Sequence, residues 1–180
     1  MPDPSVVLHD KTFKPYLGAV KINAAVSRIA DHINRDYADK RPVFLSVLNG
    51  AFMFTSDLLK LITIPCELSF IKLASYHGTQ STGNVRTLLG LDVSLKDRSV
   101  IVVEDIVDTG KTLSEFLPVL KAHGASDVAI AALLVKPDAL QHPVDVTYLG
   151  ISIPNDFIVG YGLDYNGLGR NLPDIYVVTT

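Results

Sequence analysis

Three acidic side chains follow a short apolar run near the middle of the chain. Residues 100–103 are all β-branched, with no polar alternation, which is typical of a strand covered on both faces in a parallel sheet. Glu104 and Asp105 follow directly, and Asp108 comes three positions later. Open α/β sheets bind their ligands at the carboxyl ends of the strands. These acids therefore predict a site for an anion, with a cation that balances the carboxylates.

A helix is predicted to begin directly after these acids. Beyond Thr112 the apolar residues are spaced as one helical face, and they are Leu113, Phe116, Leu117 and Leu120. The free backbone N–H groups at the start of such a helix would point into the same crevice, where they favour an anion such as phosphate.

This turn has two other interpretations. Gly110-Lys111-Thr112 resembles the end of a Walker A loop, but Asp105 occupies the position where that motif needs its first glycine. This spacing excludes a nucleotide triphosphatase of the Walker type. The other interpretation is a surface turn in which Asp108 or Thr109 caps the helix. It stays open, although two acids at the end of a buried strand are costly without a cationic partner.

Residues 102–112, VVEDIVDTGKT, closely resemble the phosphoribosyl-diphosphate (PRPP) motif of the type I phosphoribosyltransferase family. The resemblance implies an α/β fold, an open, mainly parallel twisted sheet flanked by helices, with a small hood from the terminal segments. It implies that the 5′-phosphate and ribose bind to Glu104, Asp105, Ile106, Val107, Asp108, Thr109, Gly110, Lys111 and Thr112. It also implies Mg²⁺, with Glu104, Asp105 and Asp164 as the metal ligands.

Length and composition are consistent with one domain over residues 1–180, with 48% apolar residues available for a core. We expect the core to span about residues 18–150 and the hood to come from 1–17 and 151–180. The net charge of −3 argues against nonspecific binding to nucleic acid. The single cysteine, Cys66, cannot form an internal disulfide, and no leader peptide or membrane-spanning run is apparent. We therefore expect a soluble, cytoplasmic protein.

Apolar patterns outside the motif predict alternating strands and helices. The segment before Tyr16 shows no pattern, and an amphipathic helix then ends near Tyr37. A second helix is expected after the turn at residues 49–51. Strands are predicted at Val43–Leu48, 68–73, 88–91, 128–135, 144–149 and Ile175–Val178.

Further candidate site residues lie in the connections between these elements. The turn Asn49-Gly50 would let backbone approach a ligand, although the same pair is common in plain turns. The glycine-rich polar tract that begins at Ser75-Tyr76 is either a lid over a site or a hairpin tip. Lys136 ends a strand, so its side chain points either into the crevice or to solvent.

These pieces resemble the hypoxanthine-guanine members of the family over about residues 43–172. The resemblance assigns the base to Lys136, Phe157, Ile158 and Asp164. It assigns pyrophosphate to Asn49, Gly50, Ser75, Tyr76 and Arg170, with Ser75-Tyr76 in the catalytic lid. One departure is that a neutral Asn49 stands where the family has lysine or arginine. The backbone of residues 48–50, through a non-proline cis peptide, is therefore expected to do more of the binding.

The resemblance implies purine salvage, in which PRPP and hypoxanthine or guanine give IMP or GMP and pyrophosphate. Asp108 is then the general base, Lys136 donates to the purine O6, and Phe157 stacks on the base. A homodimer or homotetramer is expected, with no nucleic-acid or membrane partner. Two alternatives stay open, a regulator of the same fold that binds PRPP or nucleotides without turnover, and a transferase for xanthine or another base.

Overall fold

The apolar runs of the sequence form a parallel sheet, described here from a computed structural model that covers residues 5–74, 86–87 and 93–179. The elements in chain order are β1 (Val6–Leu8), β2 (Lys11–Leu17), α1 (Ala19–Asp36), β3 (Val43–Leu48), α2 (Phe52–Leu61), β4 (Glu67–Ala74), β5 (Arg86–Thr87), β6 (Ser99–Val107), α3 (Lys111–Ala122), β7 (Asp127–Val135), β8 (Tyr148–Ser152), β9 (Ile158–Val159) and β10 (Ile175–Val178).

Two sheets organise these elements. The central sheet has the strand order β5-β4-β3-β6-β7-β8 and is parallel except for β5, which pairs antiparallel with β4. The second sheet is antiparallel, has the order β1-β2-β10-β9, and brings together strands from both ends of the chain. The predicted mainly parallel sheet with a hood from the terminal segments is therefore confirmed.

Strand β6 lies at the centre of the sheet because its side chains are apolar on both faces. Ile101 and Val103 pack with α1 and α2, whereas Val100 and Val102 pack with α3 on the opposite face. All four side chains are fully buried, and each such burial stabilises the fold by about 1.5–3 kcal/mol. The core thus fixes the end of β6 that carries the acids.

The amino-terminal segment differs from the prediction. It forms the hairpin β1-β2 instead of an irregular stretch, because β2 pairs with β10 at the other end of the sequence. Pairing over such a distance leaves no local pattern. Strand β6 is also longer than predicted, and it continues through the acids to Val107 because Ile106 and Val107 still pair with Leu134 and Val135 of β7.

Two further strands differ in position from their predictions. Strand β8 begins at Tyr148 and not at residue 144, and Val144 and Val146 instead pack beside α3 from an irregular segment. Of the predicted strand at 88–91, all four residues lie outside the described part of the chain, and the pairing with β4 is made by Arg86–Thr87. In the described segments, no helix is long and apolar enough to span a membrane.

Candidate active site

A cleft of about 330 Å³ opens where the carboxyl ends of β6 and β7 face β9. Its walls are formed by Gly50, Asp105, Ile106, Asp108, Lys136, Phe157, Ile158, Leu163, Asp164 and Arg170. Nine of these ten residues were predicted as site residues from the sequence. They come from segments far apart in the chain, which the parallel sheet brings to one edge.

Two buried carboxylates lie near the carboxyl end of β6, and that of Asp105 lines the cleft. Asp105 accepts a hydrogen bond from the N–H of Ile106 through Oδ1 at 2.9 Å. Glu104 Oε2 is buried and has no hydrogen-bond partner among the described residues. Burial raises the pKa of both carboxyls, and each is adjacent to further negative charge. A cation or a set of hydroxyl donors would relieve this arrangement.

Lys136 and Asp108 form an ion pair inside the cleft. The Lys136 Nζ lies 3.1 Å from Asp108 Oδ2, with the lysine side chain 9% exposed and the aspartate side chain 48% exposed. The N–H of Lys136 donates to the carbonyl of Val107 at 3.0 Å, which fixes the end of β7 beside the end of β6. Of the two orientations left open for Lys136, the structure has the one that points into the cleft.

A glycine, and not an acidic or hydroxyl residue, occupies the N-cap position of α3. Gly110 occupies the N-cap position with φ of +77°, and the hydroxyl of Thr109, the residue before it, accepts a long hydrogen bond from the N–H of Lys111 at 3.4 Å. The alternative in which Asp108 or Thr109 is the N-cap is therefore wrong, and Asp108 instead pairs with Lys136. The carbonyl of Thr109 accepts hydrogen bonds from the N–H groups of Gln141 and His142, each at 3.0 Å. The turn is thus anchored, and the first turn of α3 has amides without a partner inside the helix, which favour an anion.

Arg170 and Asp164 are fixed by the glycine-rich segment between them. Arg170 forms an ion pair with Asp164 and donates to the carbonyl of Gly162 at 2.7 Å. The second oxygen of Asp164 accepts from the N–H of Gly167, also at 2.7 Å. Both charged groups therefore have defined positions at the rim before any ligand binds.

The loop after β3 contacts this segment directly. The peptide bond between Leu48 and Asn49 is cis, as expected from the resemblance. A Cβ on Gly50 would lie 1.6 Å from Asp105 Oδ2, and one on Gly162 would lie 2.0 Å from the carbonyl oxygen of Gly50. No side chain fits at either position, so backbone itself forms this wall of the cleft.

Phe157 presents a partly free aromatic ring to the cleft. Its side chain is 42% exposed and packs against Phe13 and Tyr165, with ring centroids 5.9 Å and 5.5 Å away. Ile158, the next residue, is buried in β9, where its strand pairs with β10. An aromatic ring supported from behind and open in front suits a flat heterocycle.

Several predicted residues do not line this cleft. Asn49 is exposed beside it, and the remaining residues of the motif outside the cleft are Glu104, Val107, Thr109, Gly110, Lys111 and Thr112. Ser75 and Tyr76 lie outside the described residues, so their predicted role as a lid stays a prediction. Leu163 lines the cleft but was missed, because a single leucine among glycines has no periodicity that would indicate a site.

Comparisons with known proteins agree with this arrangement. A family model described as a phosphoribosyl transferase domain matches residues 16–166. A hypoxanthine-guanine phosphoribosyltransferase of Staphylococcus epidermidis is 41% identical over 144 residues, which cover 79% of this chain and 80% of that protein. A Streptococcus pyogenes protein of the same name is 38% identical over 152 residues, 84% of each chain.

Solved structures lead to the same family. The crystal structure of a hypoxanthine phosphoribosyltransferase from Staphylococcus aureus superimposes with a TM-score of 0.87 and 35% identity, over 92% of this chain and 91% of that one. The family match spans β2 to the Asp164 loop, and it therefore includes the acids, the turn before α3 and Lys136. The chain belongs to the phosphoribosyltransferase family, as the motif at residues 102–112 predicts.

Proposed function

We propose that the protein transfers the 5-phosphoribosyl group from PRPP to hypoxanthine or guanine, in a Mg²⁺-dependent reaction of purine salvage. The products are IMP or GMP and pyrophosphate. The observation that carries the proposal is a single cleft that contains acids, two basic side chains and an open aromatic ring. These residues are Asp105, Asp108, Lys136, Arg170 and Phe157.

The sugar and its phosphate bind where β6 meets α3. The amides at the start of α3 hold the 5′-phosphate, together with Thr109 and Thr112. Glu104 and Asp105 accept hydrogen bonds from the ribose hydroxyls. Positive charge develops on the ribose ring as the bond to pyrophosphate breaks, and carboxylates held in a water-poor site stabilise that charge.

The donor set fits Mg²⁺. Among residues 5–74, 86–87 and 93–179, no three His, Cys, Asp or Glu side chains form a ready metal cluster. Mg²⁺ commonly keeps several waters and binds through one or two carboxylates plus substrate phosphates. Glu104 Oε2, which has no hydrogen-bond partner in the described part of the chain, and the carboxylates of Asp105 and Asp164 would supply such hard oxygens. When bound, the metal neutralises charge on the pyrophosphate.

The base binds between Phe157 and Lys136. Phe157 stacks on the purine, the backbone at Ile158 faces its C2 side, and Lys136 donates to O6. Adenine carries a donor amino group at that position, so it is mismatched with a lysine donor. Asp108, paired with Lys136 yet half-exposed, takes or shares the N7 proton while N9 attacks.

Pyrophosphate leaves along the other wall of the cleft. Arg170 supplies positive charge, and the backbone of Asn49 and Gly50 supplies hydrogen-bond groups. The family resemblance adds Ser75 and Tyr76, which would close over the site and exclude water.

A direct assay tests the proposal. The protein is mixed with PRPP, Mg²⁺ and one free purine at a time, and nucleotide formation is followed by absorbance. We expect turnover with hypoxanthine and guanine and little with adenine. Preferential turnover of xanthine would identify a different base. Binding of PRPP without turnover of any purine would identify a regulator and would contradict the proposed activity.

Replacing Lys136 by methionine should weaken recognition of 6-oxopurines. Removing a charged donor from a buried hydrogen bond costs about 1.5–3 kcal/mol, so kcat/KM for hypoxanthine should fall roughly 10- to 150-fold. Adenine offers no acceptor to Lys136 and so has no hydrogen bond that the substitution could remove. Its kcat/KM should therefore change less. Steady-state kinetics at saturating PRPP measure both values.

Lys121→Met is the matched control for this substitution. Lys121 is exposed in the last turn of α3, at the opposite end of the helix from the cleft, and its loss should leave both purines unaffected. If Lys136→Met kept the full preference for hypoxanthine over adenine, another group would have to contact O6.

Asn49→Lys should tighten the binding of pyrophosphate. The substitution restores the cation found at this position in the family, in an exposed setting where a charge pair contributes about 0.2–1 kcal/mol. The inhibition constant of pyrophosphate should therefore fall up to about 5-fold. Ala122→Lys adds the same charge at the exposed carboxyl end of α3. An equal change in both variants would indicate a general charge effect.

The family resemblance also supports a homodimer or homotetramer as the working assembly. Light scattering coupled to size-exclusion chromatography measures the mass directly, and a monomer at micromolar concentration would contradict this proposal.

A further inference from the structure

We propose that Tyr165 and Asp10 are positioning residues for the purine, with the turn of the amino-terminal hairpin holding Tyr165 against the back of Phe157. The inference rests on the proposed function, because it concerns how the base-stacking ring is held. It assigns a task to residues 9 and 10, which line no part of the cleft.

Two aromatic rings support Phe157 from the hood side. Tyr165 meets it edge to face, with centroids 5.5 Å apart and planes at 83°. Phe13 of β2 contacts both rings, with its centroid 5.9 Å from Phe157 and 6.2 Å from Tyr165. Phe13 is fully buried and cannot move without disturbing the hood. Edge-to-face pairs have a preferred geometry, so these contacts restrict the plane that Phe157 can offer to a base.

Tyr165 is held in its position by the hairpin turn at residues 9 and 10. The Tyr165 hydroxyl donates to Asp10 Oδ1 at 2.7 Å, and this bond lowers the pKa of Asp10 while it raises the pKa of Tyr165. His9 also meets the Tyr165 ring edge to face, with centroids 5.5 Å apart and planes at 82°. The His9 Nε2 also lies 3.3 Å from the carbonyl oxygen of Asn166. Ring, hydroxyl and following backbone are thus all in contact with one turn.

The backbone on both sides of these contacts has an unusual conformation. His9 and Asn166 have positive φ values of 53° and 47°, which non-glycine residues adopt only when surrounding contacts favour them. Tyr165 directly follows Asp164, whose carboxylate is held by Arg170 and Gly167. The hairpin therefore contacts Tyr165 and Asn166, whereas Asp164 is held by residues of its own loop.

A purine-specific effect distinguishes positioning from general support of the fold. Tyr165→Leu removes the edge-to-face pair, and we expect the KM for hypoxanthine to rise roughly 2- to 10-fold while the KM for PRPP stays within about twofold. Tyr165→Phe keeps the ring and should recover most of the loss. Asp10→Ala should change the KM for hypoxanthine as much as Tyr165→Phe does. The double variant should show no further change, since both substitutions remove the same hydrogen bond.

Tyr148→Phe is the matched control, because Tyr148 also donates to a carboxylate, that of Asp36 at 3.1 Å, far from the cleft. It should change neither KM. Equal rises in both KM values, or full additivity of Tyr165→Phe and Asp10→Ala, would overturn the proposal. If Tyr165→Leu fails to fold in a thermal unfolding scan, the Tyr165→Phe and Asp10→Ala cycle decides.

Binding of GMP, measured by calorimetry on the same variants, separates this proposal from the proposed function. A wild-type protein that forms no nucleotide would refute the proposed activity. The affinities of the variants for GMP would then be the only test of the positioning role. Weaker GMP binding in Tyr165→Leu than in Tyr148→Phe would support it, and equal affinities would overturn it.

Discussion

Asp108→Asn is expected to lower kcat by roughly 10²-fold or more, the usual range for loss of a general base. Asparagine keeps the size of the side chain and can still accept a hydrogen bond from Lys136, whose Nζ lies 3.1 Å from the Asp108 carboxylate. It cannot take a proton from the purine. Binding of PRPP should stay largely intact, because the amides of α3 and the acids of β6 are unchanged.

Steady-state kinetics give kcat for this variant, and calorimetry gives its affinity for PRPP. Asp138→Asn makes the same chemical change at an exposed aspartate two residues beyond Lys136, and it should leave kcat unaltered. An unchanged kcat in Asp108→Asn would remove Asp108 as the base. A parallel loss of PRPP affinity would instead indicate that Asp108 acts on the sugar.

The central sheet was predictable because its strands are apolar runs with clear ends. Strand β3 was predicted at its observed bounds of Val43–Leu48, and β10 at Ile175–Val178. The hairpin β1-β2 was not, since its stability depends on pairing with β10 and not on a pattern of its own. The contacts of Tyr165 with that hairpin were invisible for the same reason.

The candidate site was predictable where a residue stands at the end of a buried strand. Asp108 and Lys136 directly follow β6 and β7, Asp105 lies two residues before the end of β6, and the cleft brings the three together. Distances between loops follow no such rule. The approach of Gly50 to Asp105 and to Gly162 depends on how two separate turns pack, which neither turn encodes alone.

That approach makes Gly162→Ala a severe substitution. Gly162 has φ of +100°, and a Cβ there would lie 2.0 Å from the carbonyl oxygen of Gly50. The alanine therefore meets both backbone strain and a clash with backbone that cannot rotate away. Strain of this kind costs about 1 kcal/mol or more, and overpacking adds about 1–3 kcal/mol. A loss of that size should lower Tm by roughly 4–16 °C in a chain of this length.

The loss of activity in this variant should be larger than its lower stability alone would explain. The clash pushes the loop after β3 away from the segment that carries Asp164 and Arg170, so the acid and the cation at the rim lose their position relative to Asp105. A displacement of about 1 Å can cost roughly 10² in rate. We therefore expect kcat/KM for PRPP to fall by about that factor at a temperature where the variant is still fully folded.

Gly167→Ala separates the clash from the strain. Gly167 has a similar φ of +89°, but a Cβ there meets nothing within 4 Å, so its alanine variant carries only the cost of the backbone conformation. Calorimetric scans of both variants should show the larger decrease in Tm for Gly162→Ala, with the difference attributable to Gly50. Equal decreases in Tm would mean that the loops carrying Gly50 and Gly162 can move apart with no loss of stability. Their contact would then be too weak to hold Asp105 in place.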